Sequence, residues 1–263
     1  MTVTIAVSCQ MGGSGKTTTS INLAGALGIE NRGHDVLLVD MDPQGAATEG
    51  TGFEDRYRAD VPSLYEVLTD IDREDEINDL IQSHQEMDVI PAHEQLFGLE
   101  QEIQNLPKTE ERLEGALDAI THDYDYIVID TPPHLGPIAN NSLVAAGNLV
   151  VPVNPVRRSI RALETLFEQV RIIEKHYRDI ERLGLVVNDV QYPTDNDTEY
   201  MLDWFDDFAD RIPIYHVRNR VALKRAWNSG VSIFAHEEEC DMEAVYDELA
   251  GDIETRVQEE VSA

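Results

Sequence analysis

Apolar and polar positions change their period repeatedly along the chain. TVTIAVS (2–8) is rich in β-branched and apolar residues, and predicts a buried strand. Residues 17–29 predict a helix with apolar residues at Ile21, Leu23, Ala24, Ala26 and Leu27. DVLLVD (35–40) predicts a second apolar strand that ends in an acid, whereas 41–62 is polar, carries Gly45, Gly50 and Gly52, and reads as a loop. Helical patterns follow over 63–70 and 73–83, then a short strand MDVIPA (87–92), then helix through most of 93–121 with a break at Pro107. YDYIVID (124–130) is the strongest strand. The second half predicts helices at 137–146, 157–177, 198–209, 219–228 and 241–258, and strands at 148–153, 183–189 and 212–215. Strands that alternate with helices predict an α/β fold, a twisted, mostly parallel sheet flanked by helices on both faces. With no linker, repeat or low-complexity stretch in the way, residues 1–263 are expected to form one domain.

Composition narrows the setting. Of the 263 residues 42% are hydrophobic, enough for a large core, yet no apolar run approaches the ~20 residues of a membrane span. MTVTIAVSC has no basic segment ahead of its strand, so no secretory leader is expected. With Cys9 and Cys240 as the only cysteines, neither a disulfide framework nor a cysteine metal site is expected, and a cytoplasmic protein is. The 20 basic residues face 51 acidic ones, for a net charge of −31, and lysine occurs only at Lys16, Lys108, Lys175 and Lys224. One reading is an acidic protein that avoids polyanions; the other is a salt-rich cytosol, and acids spread along the whole chain resemble halophilic proteins. In molar salt, repulsion is screened within about 3 Å, so the net charge does not exclude a nucleic-acid partner.

The stretch CQMGGSGKTTT (9–19) joins the first strand to the first helix. Glycines let backbone N–H groups converge on phosphate without a Cβ in the way, and the helix N-terminus adds unpaired donors and positive dipole. Lys16 is placed to bridge β- and γ-phosphates, and Thr17 to offer its hydroxyl to Mg²⁺. The strict G-x-x-x-x-G-K-[ST] spacing fails, because Gln10 stands where its first glycine belongs; the match is the paired-glycine variant GGSGKT at 12–17. Two strand ends supply acids. Asp130 closes YIVID, a position suited to reaching Mg²⁺ through water. Asp40 closes LLVD and Asp42 follows; a carboxylate there can orient an attacking water, while a plain strand-end role fits Asp40 equally.

With these motifs the sequence resembles the ParA/MinD group of deviant Walker-A ATPases, and within it the ParA (Soj-like) partition ATPases. AVSCQMGGSGKTTTSINLAGAL, GHDVLLVDMDPQGAATEG, MDVIPAHEQLFGLE, YDYIVIDTPPHLGPIANNSLVAAGNLVVPV and HVRNRVALKRAWNSGVSI carry the resemblance in family order over nearly the whole chain. It implies a P-loop NTPase fold and an ATP-dependent homodimer with the nucleotides and Mg²⁺ sandwiched between subunits. It also implies non-specific DNA binding, and a ParB-like or other partner that stimulates hydrolysis while plasmid, chromosome or other cargo is positioned. By the same resemblance Gly12, Gly13, Ser14, Gly15, Lys16, Thr17 and Thr18 form the phosphate loop. Lys16 and Asp42 are catalytic, Asp42 preparing water for attack. Thr17, Asp42 and Asp130 serve the metal. Asn188 falls where the family commonly contacts adenine, and Val217 and Arg218 lie near the base, Val217 replacing the family's proline.

One departure stands out. The family usually carries a lysine before the glycine pair that reaches the partner subunit's phosphates; here it is Met11, which offers neither charge nor donor. Met11 reads as a natural pairing without the signature lysine, as an engineered dead switch, or simply as a side chain that packs against the neighbouring subunit. Arg157, Arg158 and Arg161 are candidates to replace the missing cation, or a solvated helix face. For DNA, a helix from about 219 would put Arg220, Lys224 and Arg225 on one side, in a stretch (212–236) without acids. The acidic C-terminal helix argues against a membrane partner. Two alternatives remain: a nucleotide-holding scaffold or regulator with little turnover, and a metabolic ATP-dependent ligase or amidotransferase.

Overall fold

The computed structural model describes residues 2–29 and 32–262. Its strands are β1 (Val3–Val7), β2 (Val36–Asp40), β3 (Asp88–Ile90), β4 (Tyr126–Asp130), β5 (Asn148–Val153), β6 (Glu181–Val190) and β7 (Ile214–Arg218). They form one parallel sheet in the order β3-β2-β4-β1-β5-β6-β7. The order turns back on itself at β1, and in such sheets the crevice above the carboxyl ends of the strands is the natural place for a ligand.

Alternation along each strand divides the core into two layers. Ala6, Leu37, Val39, Ile127, Ile129, Leu149 and Val151 face one layer. It is covered by α3 (Leu64–Thr69), α5 (Leu96–Ile103), α6 (Arg112–Asp118), α7 (Pro137–Ala146), α8 (Arg158–His176) and α9 (Asn196–Asp206). Ile5, Val7, Val36, Leu38, Tyr126, Val128 and Val150 face the other, under α1 (Lys16–Gly28), α10 (Val221–Asn228) and α11 (Glu243–Ser262). Both faces of the sheet are therefore dry, as the continuous apolar strands require.

The structure departs from the sequence-based elements where side chains from distant segments intervene. Residues 41–62 contain a short helix, α2 (Ala46–Gly50), capped by Gly45 at φ 67°. The helix expected over 73–83 is a 3-10 turn (Ile71–Glu76) followed by α4 (Ile77–Leu80), and then stops because Gln82 pairs its backbone with Val89. The long helix expected over 93–121 is two helices. Asn141, from α7, accepts the Arg112 and Leu113 N–H groups and so founds α6, while its amide donates to Thr109 O. Strand β7 runs on to Arg218 instead of ending at 215, so α10 starts at Val221 and Arg220 stays extended (φ −133°, ψ 134°).

Candidate functional site

Strand β1 leads into residues 8–15, which fold into a turn that ends on α1. Gly13 (φ 74°) and Gly15 (φ 86°) take the left-handed backbone that glycine tolerates best. Lys16 bends back and donates Nζ–H to Met11 O at 3.1 Å, so the loop encircles its own lysine. Burial lowers the Lys16 pKa, and the negative charge of Asp130 is the chief opposing influence. Nothing lies within 4 Å of a Cβ built on Gly12 or Gly13, so the outer rim of the loop is open. A glycine rim, an ammonium and a helix N-terminus make a donor set that fits a polyphosphate.

Asp130, at the end of β4, is fully buried. Its Oδ2 accepts from Thr17 Oγ1 and its Oδ1 from Ser20 Oγ, both at 2.8 Å. Burial pushes its pKa up to about 6 despite those hydrogen bonds. The hydroxyl and the carboxylate are hard oxygen donors side by side, the chemistry that Mg²⁺ takes.

Asp40, at the end of β2, faces inward. Its Oδ1 accepts from Asp42 N at 3.1 Å, and its Oδ2 from both the N–H and the hydroxyl of Thr48 at 2.7 Å. Burial, with the charge of Asp130 second, pushes its pKa up to about 8. Asp40 thus ties the start of the 41–48 segment together, its two oxygens taken up by Asp42 N and by Thr48. Asp42 is 7% exposed, its Oδ1 accepts from Gln44 N at 2.9 Å, and burial raises its pKa against the pull of Lys16.

A cavity of about 560 Å³ opens beside the loop, lined by Gly13, Gly15, Thr18, Asn188, Val217 and Arg218 among others. Six residues assigned from the sequence to one ligand thus share one wall, whereas Ser14 is fully buried behind it. Asn188 does not simply face the cavity: its Nδ2 donates to Ser14 O at 3.0 Å and to Thr19 Oγ1 at 3.2 Å. It braces the loop from behind.

Met11 corrects the expectation of a subunit contact. It is 8% exposed and sits in the core layer of its own chain, with Ser159 Oγ 3.8 Å from its sulfur. The same segment grips the loop again, since Asn154 Nδ2 donates to Gly13 O at 2.9 Å and Ser159 Oγ to Asn154 O at 2.7 Å. Arg157, Arg158 and Arg161 are exposed at the start of α8. Arg157 lies over the Tyr200 ring and 3.9 Å from Asp197, and among the described residues Arg158 and Arg161 have no ion pair.

The basic face expected on α10 is also corrected. Arg220 precedes the helix, lines the cavity together with Lys224, and shares Asp241 with Arg218; Arg225 pairs with Glu238. The acid-free stretch in sequence is met by acids from the following turn. Sequence reasoning missed Ser20, Thr48 and Asn154. Small polar residues next to a phosphate loop carry no pattern, and only their partners reveal them. Among the described residues no helix is long and apolar enough to cross a membrane.

Comparison with known proteins agrees with this geometry. A family model described as an AAA domain matches residues 2–182. The chain is 35% identical over 253 residues to the sporulation initiation inhibitor protein Soj of Bacillus subtilis (strain 168), covering 95% of this chain and 97% of Soj. It is 30% identical over 259 residues to the chromosome partitioning protein ParA of Caulobacter vibrioides, covering 96% and 94%. Among solved structures, a McdA–ATP complex from Cyanothece superposes with a TM-score of 0.84 at 22% identity, over 96% of each chain. A cobyrinic acid a,c-diamide synthase from Mycobacterium smegmatis, with an ATP analogue and magnesium, superposes with a TM-score of 0.76 at 26% identity, over 98% and 96%. Sequence similarity along almost the full length of Soj, joined to the parallel sheet and its glycine turn, makes this chain a member of the ParA/Soj group of P-loop ATPases.

Proposed function

We propose that the chain is a ParA-like ATPase that closes into an ATP-sandwich homodimer, binds DNA without sequence preference and hydrolyses ATP slowly until a ParB-like or other partner stimulates it. Its work is then to position plasmid or chromosomal DNA, or another cargo, on the nucleoid of a salt-rich cytoplasm. The observation that carries this reading is the 2.8 Å contact between Thr17 and Asp130, which joins the loop's hydroxyl to the strand-end acid beside Lys16. The backbone of residues 12–18 would hold the phosphates, and Thr17 and Asp130 would hold Mg²⁺. Lys16 would neutralise charge on the β- and γ-oxygens. Asp42, its pKa raised by burial against the Gln44 N–H and the charge of Lys16, would orient the attacking water. Bound ATP and Mg²⁺ would supply the phosphoryl group and a cation for it.

A second reading, an ATP-holding scaffold with little turnover, draws on Met11, which is buried where the family places a trans-acting lysine. Size-exclusion chromatography in molar KCl with no nucleotide, ADP or ATP, with and without DNA, while phosphate release is followed, separates the two. An ATP-specific dimer that shifts DNA and releases phosphate supports the switch, and Asp42→Ala should keep the dimer and stop release. A dimer without turnover in wild type, even with cell extract, favours the scaffold. Turnover that depends on a small metabolite would overturn both.

A further inference from the structure

The turn HEEECD (236–241) comes back across the entrance to α10. It is fastened at its far end: Cys240 and Met242 are buried, Met242 Sδ accepts the Arg218 N–H at 3.0 Å, and Cys240 N donates to Glu243 Oε1 at 2.8 Å. Held next to these anchors, Asp241 takes two arginines. Arg218 Nη2 bonds its Oδ2, while Arg220 places Nε on Oδ1 and Nη2 on Oδ2, both at 2.8 Å. Glu238 Oε2 accepts from Arg225 Nη1 at 2.6 Å. Two acids of one turn therefore occupy three guanidinium groups, in a chain with only 20 basic residues. The neighbouring Glu237 and Glu239 are exposed and, among the described residues, have no ion pair.

We infer that this turn is an internal substitute for phosphate: Asp241 and Glu238 hold Arg218, Arg220 and Arg225 until the phosphates of duplex DNA displace them. The inference rests on the DNA-binding reading above. Carboxylate and phosphate oxygens satisfy the same guanidinium fork. The side chains in these pairs are 33–59% exposed, so the pairs are weak and exchangeable. Cys240 and Met242 fix the backbone, and exchange needs only side-chain rotation. Lys224, which has no ion pair among the described residues, gives the first contact, and the three arginines join as the acids let go. The turn thereby suppresses weak polyanion binding and leaves binding at contacts strong enough to displace it.

The test is fluorescence anisotropy of a labelled DNA duplex, with ATP, across a KCl series, using the full chain as wild type, E238Q/D241N and E237Q/E239Q. Both double variants remove two negative charges from the same turn, and only the first frees arginines. E238Q/D241N is expected to bind at least tenfold tighter and to steepen the log affinity–log salt slope by about 2, because no carboxylate is left to take up a cation as the arginines move to phosphate. E237Q/E239Q should move both far less. Equal gains in the two variants, or no gain in the first, overturn the inference. Retention on heparin separates it from the DNA reading. Stronger retention of E238Q/D241N than of the other two, with no protein binding DNA, supports the exchange and ends the DNA reading; equal retention of all three, with no DNA binding, overturns the exchange. Should D241N prevent folding, E238Q, which frees Arg225, should steepen the slope by about 1, and an unchanged slope overturns the inference.

Discussion

The amide nitrogen of Asn188 stands 2.6 Å from where a Cβ on Gly15 would lie, so the two residues occupy one space between them. Glycine is required at 15 twice over, by φ 86° and by this contact. The amide in turn pins the loop through Ser14 O and Thr19. Asn188→Ala should therefore weaken ATP, GTP and tripolyphosphate by a common factor of about 5 to 10, the worth of a hydrogen bond of about 1 kcal/mol. Titration calorimetry reads this directly. Loss of ATP affinity with tripolyphosphate unaffected would return Asn188 to the adenine.

Met11 fills core volume between the phosphate loop and α8. Met11→Ala should cost about 2–3 kcal/mol, as for a large-to-small change in a core, and Met11→Leu under about 1.5 kcal/mol. Urea unfolding of the nucleotide-free protein measures both. An unchanged midpoint in Met11→Ala would mean that the thioether serves a second subunit after all.

Arg157, Arg158 and Arg161 are exposed beside a segment tied to Gly13 through Asn154. Their triple alanine variant should keep its monomer stability within about 0.5 kcal/mol per site, as exposed positions do. It should lose ATP-dependent dimerisation in light scattering. Full dimerisation of the variant would reduce the cluster to a solvated face.

The acid pair predicts a pH dependence with a definite sign. Asp40 and Asp130 have folded-state pKa values of about 8 and about 6, above the ordinary 3.8, so between those limits the folded chain holds more protons than the unfolded one. Their contribution is complete below pH ~4 and is lost as pH rises through 6 to 8. Nucleotide-free protein in molar KCl should therefore lose stability between pH 5 and 8. Asp40→Asn, which removes one of the two titrating groups, should flatten that slope in urea titrations; an unaltered slope would contradict the burial argument.

Apolar periodicity carried most of the architecture: strands buried on both faces are apolar throughout and were legible, the edge strand β7 only in part because His216 and Arg218 interrupt it, and GGSGKT and the acids after LLV and YIVI marked the site. Period says nothing about a helix founded by another element's side chain, so the separation of α6 from α5 by Asn141 lay outside it. The same holds for α2, whose Thr48 supports Asp40.

What the sequence determined by itself was the order of the strands and of the longer helices and the identity of the phosphate loop, since these are encoded in contiguous residues. Tertiary structure decided the rest. It turned Met11 inward, set Asn188 behind Gly15, tied Asp40 to Asp42 N and Thr48, and brought Asp241 and Glu238 onto the arginines of β7 and α10. The physical reason is that a side chain's charge, donor count and volume are local properties. What they meet is fixed only when the sheet brings the carboxyl ends of β1, β2, β4, β6 and β7 to one edge.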